Sequence, residues 1–302
     1  MPTQNLQSTA HKRFIQHIHF PSQQDAYPLH GLLYSPQTTL PKANVVIASA
    51  TGVPQEFYRR FAEYLTFSGY QVLSFDYRGI GRSSPEHLNG FNMDYLDWGR
   101  SDLAGAIDYL SQQDLPLFMI GHSYGGQALG MLSNHDQISA CYSFGTGLSW
   151  SGYMPLKARL KMQILQNLVF PPIAKRYGFM PWSKFNMGTD LPLNVYLQWA
   201  EWSKNKEYFF ADPLLKELLT QFAQVRTPII AATSIDDEWA SPKSRNAFMK
   251  YYPQATIQYH DLIPRQLGMT KIGHMGYFKK DAKQIWDHVI ENFDEILQKK
   301  MA

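Results

Sequence analysis

The residues of this 302-residue chain best suited to chemistry are Gly121-His122-Ser123-Tyr124-Gly125, followed by Gly126. They come directly after the apolar run LPLFMI and directly before QALGMLS, so the serine falls where a buried strand hands over to a helix. A G-x-S-x-G turn in that place needs small residues, because the nucleophile occupies a tight, strained corner that lifts its hydroxyl above the sheet. A serine hydroxyl is a weak nucleophile and needs a base, ordinarily a histidine oriented by a carboxylate. Of ten histidines, His274 is the best placed, in the loop IGHMGYF before the last helical pattern. His122 flanks the serine and is expected to point away from it, His260 lies in a strand pattern, and His17 and His19 share one face of the first strand.

The carboxylate is expected from the loop after PIIAATS, where Asp236, Asp237 and Glu238 stand in a row and chemistry alone leaves the choice open. An oxyanion needs two N–H donors. Tyr124, next to the serine, is expected to supply one and Val53 the other; Gly52 gives that loop its freedom, and Pro54 has no N–H to give.

Strand and helix patterns alternate in a way that would position these groups. An opening antiparallel pair is expected at 14–20 and 29–34. Strands follow at 44–50, 70–76, 115–121, 138–146, near 228–234 and at ATIQYHD, with helices at 55–68, 97–112, 124–134, 242–251 and 280–299. This is the pattern of a doubly wound, mostly parallel α/β sheet, in which ligands sit at the carboxyl ends of the strands. Residues 147–220 break the rhythm: Pro155, Pro171, Pro172, Pro181 and Pro192 divide a Met-, Trp- and Tyr-rich stretch into short helices. It reads as a helical cap inserted after the sixth strand, with the core formed by 1–146 and 221–302. If it covers the strand ends, then Trp150, Tyr153, Met154, Phe170, Phe179, Met180, Trp182, Tyr196, Trp199 and Trp202 make an apolar, aromatic surface above Ser123. Thr51 adds a hydroxyl to that pocket.

Composition narrows the classes. Hydrophobic residues are 44% and charged ones 18%, which excludes disordered and coiled-coil chains. With 28 basic against 25 acidic residues there is no basic stripe for nucleic acid. The lone Cys141 and the absence of metal-ligand spacing leave no metal or cofactor expected. No secretory pattern opens the chain and no run of about 18 apolar residues spans a bilayer, so a cytoplasmic protein without stable membrane insertion is expected.

The chain resembles the α/β-hydrolases, in the broad group of serine aminopeptidases and monoacylglycerol lipases. The resemblance is carried by ATGVPQEFY at 50–58, FDYRGIGRSS at 75–84, GHSYGG at 121–126, SIDDEWASP at 234–242 and GHMGYF at 273–278. The order Ser123, acid, His274 is that of the family. The resemblance favours Asp237 as the acid, with Asp236 the runner-up, because relatives commonly use the second acid of such a turn. Two departures stand out: Thr51-Gly52 where many relatives have His-Gly, and Glu238-Trp239 after the acidic turn. Arg78 is expected to tie the loop after the 70–76 strand to neighbouring acids or carbonyls. The implied activity is hydrolysis of a small-molecule carboxylic ester through an acyl-enzyme, without cofactor. Thioester, amide or N-terminal peptide hydrolysis and acyl transfer are the alternatives on the same residues; a non-catalytic binding protein is the alternative of another class.

Overall fold

The structure is a computed structural model that describes residues 15–37 and 40–301. The expected start of the first strand at Phe14 and the opening residues 1–13 lie outside the described residues.

Alternation of apolar and polar residues in Ile15–Pro21 (β1) makes a half-exposed edge strand. It pairs antiparallel with Pro28–Tyr34 (β2), which pairs antiparallel with Tyr70–Phe75 (β4). The unbroken apolar runs behave differently. Ala43–Ala48 (β3), β4, Leu117–His122 (β5) and Ile229–Ser234 (β9) are buried along their whole length, as strands covered on both faces must be. With Ile138–Phe144 (β6) and Ile257–Leu262 (β10) they complete an eight-stranded sheet of order β1-β2-β4-β3-β5-β6-β9-β10, parallel from β4 onward.

Two apolar cores flank this sheet. On one face Phe61 and Leu65 of the helix Arg59–Phe67 meet Trp286, Val289 and Phe293 of the long helix Lys283–Met301. On the other, Trp98, Ile107, Leu129, Phe222 and Phe248 belong to one cluster. The helix expected at 124–134 is shorter: an α-turn Tyr124–Gln127 passes into a 3-10 turn Ala128–Met131 and stops. The Phe222 ring packs directly on this end, where a Cβ on Gly130 would sit 2.5 Å from it.

After β6 the chain runs through Leu156–Ile164, a π-turn at Leu165–Val169 and Phe170–Tyr177. Pro171 and Pro172 do not stop the chain there. They fall in the first turn of Phe170–Tyr177, where a missing N–H costs little. A short ribbon that the sequence reading lacked, Phe179–Met180 (β7) against Leu191–Pro192 (β8), comes before the helix Leu193–Trp202. The helix Lys216–Gln224 straddles the expected boundary at 220 and buries Leu218 and Phe222 in the core. The loops after β3, β5, β9 and β10 emerge at one edge of the parallel sheet, which is where they can meet.

Candidate active site

Ser123 follows β5 directly and has φ 53° and ψ −114°, a left-handed conformation that a β-carbon strains. The strain is held by backbone bonds: Ser123 N–H donates to Phe144 O at 2.8 Å, and Thr146 Oγ1 donates to Ser123 O at 3.1 Å. The glycines around it are steric necessities. A Cβ on Gly125 would lie 2.0 Å from the carbonyl oxygen of Ala48 in β3, and one on Gly121 would lie 2.5 Å from Gly126 Cα.

The three groups singled out in the sequence meet. Ser123 Oγ is 3.0 Å from His274 Nε2, and His274 Nδ1 is 2.9 Å from Asp237 Oδ2. The Asp237 side chain is fully buried and four-fold hydrogen-bonded. Trp239 and Ala240 donate backbone N–H groups to Oδ1, each at 2.9 Å, and Tyr277 O–H donates to Oδ2 at 2.8 Å beside the imidazole. Burial by itself would raise the Asp237 pKa. The His274 charge, with the hydrogen bonds from His274, Ala240 and Tyr277, outweighs burial and holds the carboxyl below its ordinary value.

Asp236 has a different occupation. Its oxygens accept from Gly273 N–H at 2.8 Å, from Ile272 N–H at 3.1 Å and from Ser234 O–H. It therefore fixes the loop that carries His274 and does not touch the imidazole side that Asp237 holds.

His122 does point away from the serine, and it is far from idle. It is fully buried; its Nε2 is 2.8 Å from His274 O and its Nδ1 is 2.8 Å from Tyr58 O–H, which in turn accepts Ala50 N–H at 2.9 Å. A carbonyl can only accept, so Nε2 carries the proton and Nδ1 accepts. Burial drives the His122 pKa down to about 3, consistent with a neutral ring. Tyr58 and His122 thus brace the loop after β3 against the loop of His274. Neither role was visible in the sequence, because both depend on a partner far along the chain. Arg78 behaves as expected, buried between Asp102 and Asp25 with nitrogen–oxygen distances of 2.6 Å to each.

The two backbone amides expected to face the oxyanion differ in what holds them. Tyr124 is the first residue of its helix, so its N–H has no intrahelical partner. Val53 reaches the same cavity, but its N–H donates to Ala50 O at 3.1 Å. The cause is Gly52 at φ 70°, which folds Ala50–Val53 into a turn closed by that bond. The Val53 amide is therefore spent within the turn, which corrects the sequence expectation. Beside it, Thr51 Oγ1 is hydrogen-bonded to Tyr95 O–H. Tyr95 also has the Tyr208 hydroxyl beside it, so the three hydroxyls form one short chain that ends at Thr51 in the cavity.

Ser123, Tyr124 and His274 open into a cavity of about 480 Å³. Its lining includes Phe57, Tyr95, Trp182, Met187, Trp199 and Trp239, with Gln127, Ser149 and Asn186 as polar points, and no lining residue is acidic. Trp199 stacks on Trp239 at 6.2 Å, and Trp239 lies 6.3 Å from the His274 ring. Of the residues expected in the pocket, Thr51 and Trp199 line it. Trp150 and Tyr153 do not. Trp150 precedes the 3-10 turn Ser151–Tyr153 and Tyr153 ends it; the two rings pack edge-to-face at 5.2 Å, with Arg159 over Trp150 and Lys243 over Tyr153. Among the described residues no group of three or more His, Cys, Asp or Glu could hold a metal ion.

Residues 39–183 match the family model for serine aminopeptidase, S33, a stretch that includes Ser123 and ends before Asp237 and His274. The sequence matches none of the curated proteins. Among solved structures, the chain is similar to a soluble variant of monoglyceride lipase from Saccharomyces cerevisiae in complex with a substrate analog, at 17% identity, TM-score 0.63 and 94% coverage of both chains. It is also similar to a thermostable carboxyl esterase from Bacillus coagulans, at 15% identity and TM-score 0.62, covering 94% of this chain and 99% of that one. An esterase from Exiguobacterium antarcticum superposes with TM-score 0.59 at 15% identity, covering 90% and 98%. The sheet order, the strained serine after β5 and these likenesses show that the chain has the α/β-hydrolase fold.

Proposed function

We propose that this protein is a serine hydrolase that cleaves a carboxylic ester of moderate size. The observation that carries the reading is the continuous hydrogen-bonded line Ser123–His274–Asp237 opening into an apolar, aromatic cavity. Ser123 Oγ attacks the ester carbonyl while His274 Nε2 takes its proton; the carbonyl π electrons move onto the oxygen, which the Tyr124 N–H stabilises. His274 then protonates the leaving alkoxide, and an acyl-serine remains. Water, deprotonated by His274, attacks the acyl carbon, and the proton returns to Ser123 as the acid leaves. Asp237 keeps Nδ1 protonated and stabilises the imidazolium. We further propose that 147–220 acts as a cap, since Trp182, Asn186, Met187, Gly188 and Trp199 from it share the cavity with Ser123.

A peptidase acting at a free N-terminus would need an acid to hold the ammonium. The cap acids Glu201 and Glu207 are exposed and neither lines the cavity, which favours an uncharged ester over a peptide. The test is hydrolysis of p-nitrophenyl esters from acetate to palmitate beside Ser123→Ala. A serine-dependent rate with a chain-length optimum is expected. Stoichiometric labelling of Ser123 by a fluorophosphonate without turnover of any ester would replace the substrate class with thioesters, amides or an acyl acceptor. No labelling would leave a binding protein.

A further inference from the structure

The helix Leu156–Ile164 and the π-turn after it expose Leu156, Leu160, Ile164 and Leu168, each between 52% and 71% accessible. Their four-residue spacing makes them a single ridge along one side of the helix. Val169 and Phe185 extend the patch, while Met162, Gln166 and Phe170 turn inward. Elsewhere among the described residues, exposed large apolar side chains stand in ones and twos. An apolar ridge of this kind marks a surface made to be covered.

Charge says by what. From 147 to 189 there is no Asp or Glu, whereas Lys157, Arg159, Lys161, Lys175, Arg176 and Lys184 are all present. Lys157 and Lys161 are exposed beside the ridge and Lys175 and Arg176 at its far end. Six cations of this segment against one exposed acid at the cavity beneath it, Glu238, leave the apolar row in a cationic surround that fits the boundary between acyl chains and anionic headgroups. A second copy of this chain would bring the same cations against themselves. No helix among the described residues is long and apolar enough to cross a membrane, so the contact is with the surface.

The ridge also roofs something. Ala158, Lys161, Met162, Leu165 and Val169 line a cavity of about 410 Å³, and two more of its lining residues, Met187 and Trp239, also line the Ser123 cavity. We propose that the exposed ridge of residues 156–169 docks this protein on anionic lipid surfaces, with that cavity between the lipid and Ser123. The docking does not depend on the hydrolase reading.

Co-sedimentation with vesicles of phosphatidylcholine containing about one-third phosphatidylglycerol tests it. The wild type and Ser123→Ala are expected to bind alike, and more weakly to phosphatidylcholine alone. Leu160→Asp with Leu168→Asp is expected to lower the bound fraction about tenfold by putting charge into the apolar contact. Lys157→Gln and Arg176→Gln should each weaken binding about fivefold. Melting temperature and turnover of a water-soluble short ester, in variants with none of these residues in the cavities, should match the wild type and separate docking from folding. Absence of wild-type binding, or binding that the paired Asp substitutions leave intact, overturns the proposal. So does a dimer in light scattering that those substitutions split without any vesicle binding, which would assign the ridge to a second copy.

Discussion

Asp237, buried behind His274, and Trp199, in the wall of the cavity in front of Ser123, are held in contrasting ways. Both oxygens of Asp237 are bonded, by two backbone N–H groups, a tyrosine and the imidazole, and the loop opposite is clamped by Asp236 and His122. Trp199 is held by ring-on-ring packing against Trp182 and Trp239, and its own helix, Leu193–Trp202, is short and partly exposed. Directional bonds from strand ends set atoms to within tenths of an ångström. Dispersion contacts tolerate repacking. Damage on the Asp237 side should therefore fall on the rate of chemistry, and damage on the Trp199 side on which substrates are chosen.

The largest effect should come from Ser123→Ala, a loss of about 10⁶-fold in kcat if the three groups act as a unit. Its melting temperature should stay near the wild type, because alanine keeps the backbone and loses only the hydroxyl. Residual serine-independent turnover above a hundredth of the wild type would remove Ser123 from the reaction.

Next in size, Asp237→Asn should lower kcat about 10⁴-fold by favouring the wrong imidazole tautomer. Asp236→Asn should cost at most about tenfold in kcat and instead lower the melting temperature by a few degrees, about the effect of one lost loop anchor. The opposite ranking would move the acid to Asp236. The same pair differs in pH response. The folded Asp237 carboxyl is held below the usual carboxylate range, so its stabilisation is fully present above the pKa of the unfolded chain and lost as pH falls through the lower, folded pKa. Asp237→Asn should lack that part of the acid slope in urea unfolding.

The Asp237 side was largely legible in the sequence, for a physical reason. Strands buried on both faces must be unbroken apolar runs, and a nucleophile on a strained corner must have Gly121 and Gly125 around it, so both leave marks in local spacing. Choosing between Asp236 and Asp237 needed a family resemblance, because two adjacent carboxylates differ only in what lies across from them. Tyr277 lay inside a motif already singled out, yet its bond to Asp237 joins groups forty residues apart. Val53 failed for the opposite reason: a local turn consumed its N–H. On the other side, Trp150 and Trp199 are chemically equal in sequence, and only packing decides that one lines the cavity and the other does not.

Thr51 sharpens the comparison from the rate side. With the Val53 N–H bonded inside its turn, Thr51, which lines the cavity beside Ser123 and is bonded to Tyr95, is the hydroxyl that this loop brings to the substrate space. Thr51→Val should lower kcat about tenfold with KM little changed, short of the 10²–10³-fold cost of a full oxyanion-hole donor. An effect confined to KM would make the hydroxyl a binding contact only.

The smallest effect tests the Trp199 side. Met187 lines both the 480 Å³ cavity with Ser123 and the 410 Å³ cavity beneath the 156–169 ridge. Met187→Ala removes much of the wall they share without touching a polar group. Each additional methylene buried in the opened space is worth about 0.8 kcal/mol, about fourfold in kcat/KM. The p-nitrophenyl ester optimum should therefore move to longer chains while kcat for the acetate stays within about twofold of wild type. If acetate turnover collapsed instead, packing on that side would be positioning the reacting atoms after all, and the division between the two sides would fail.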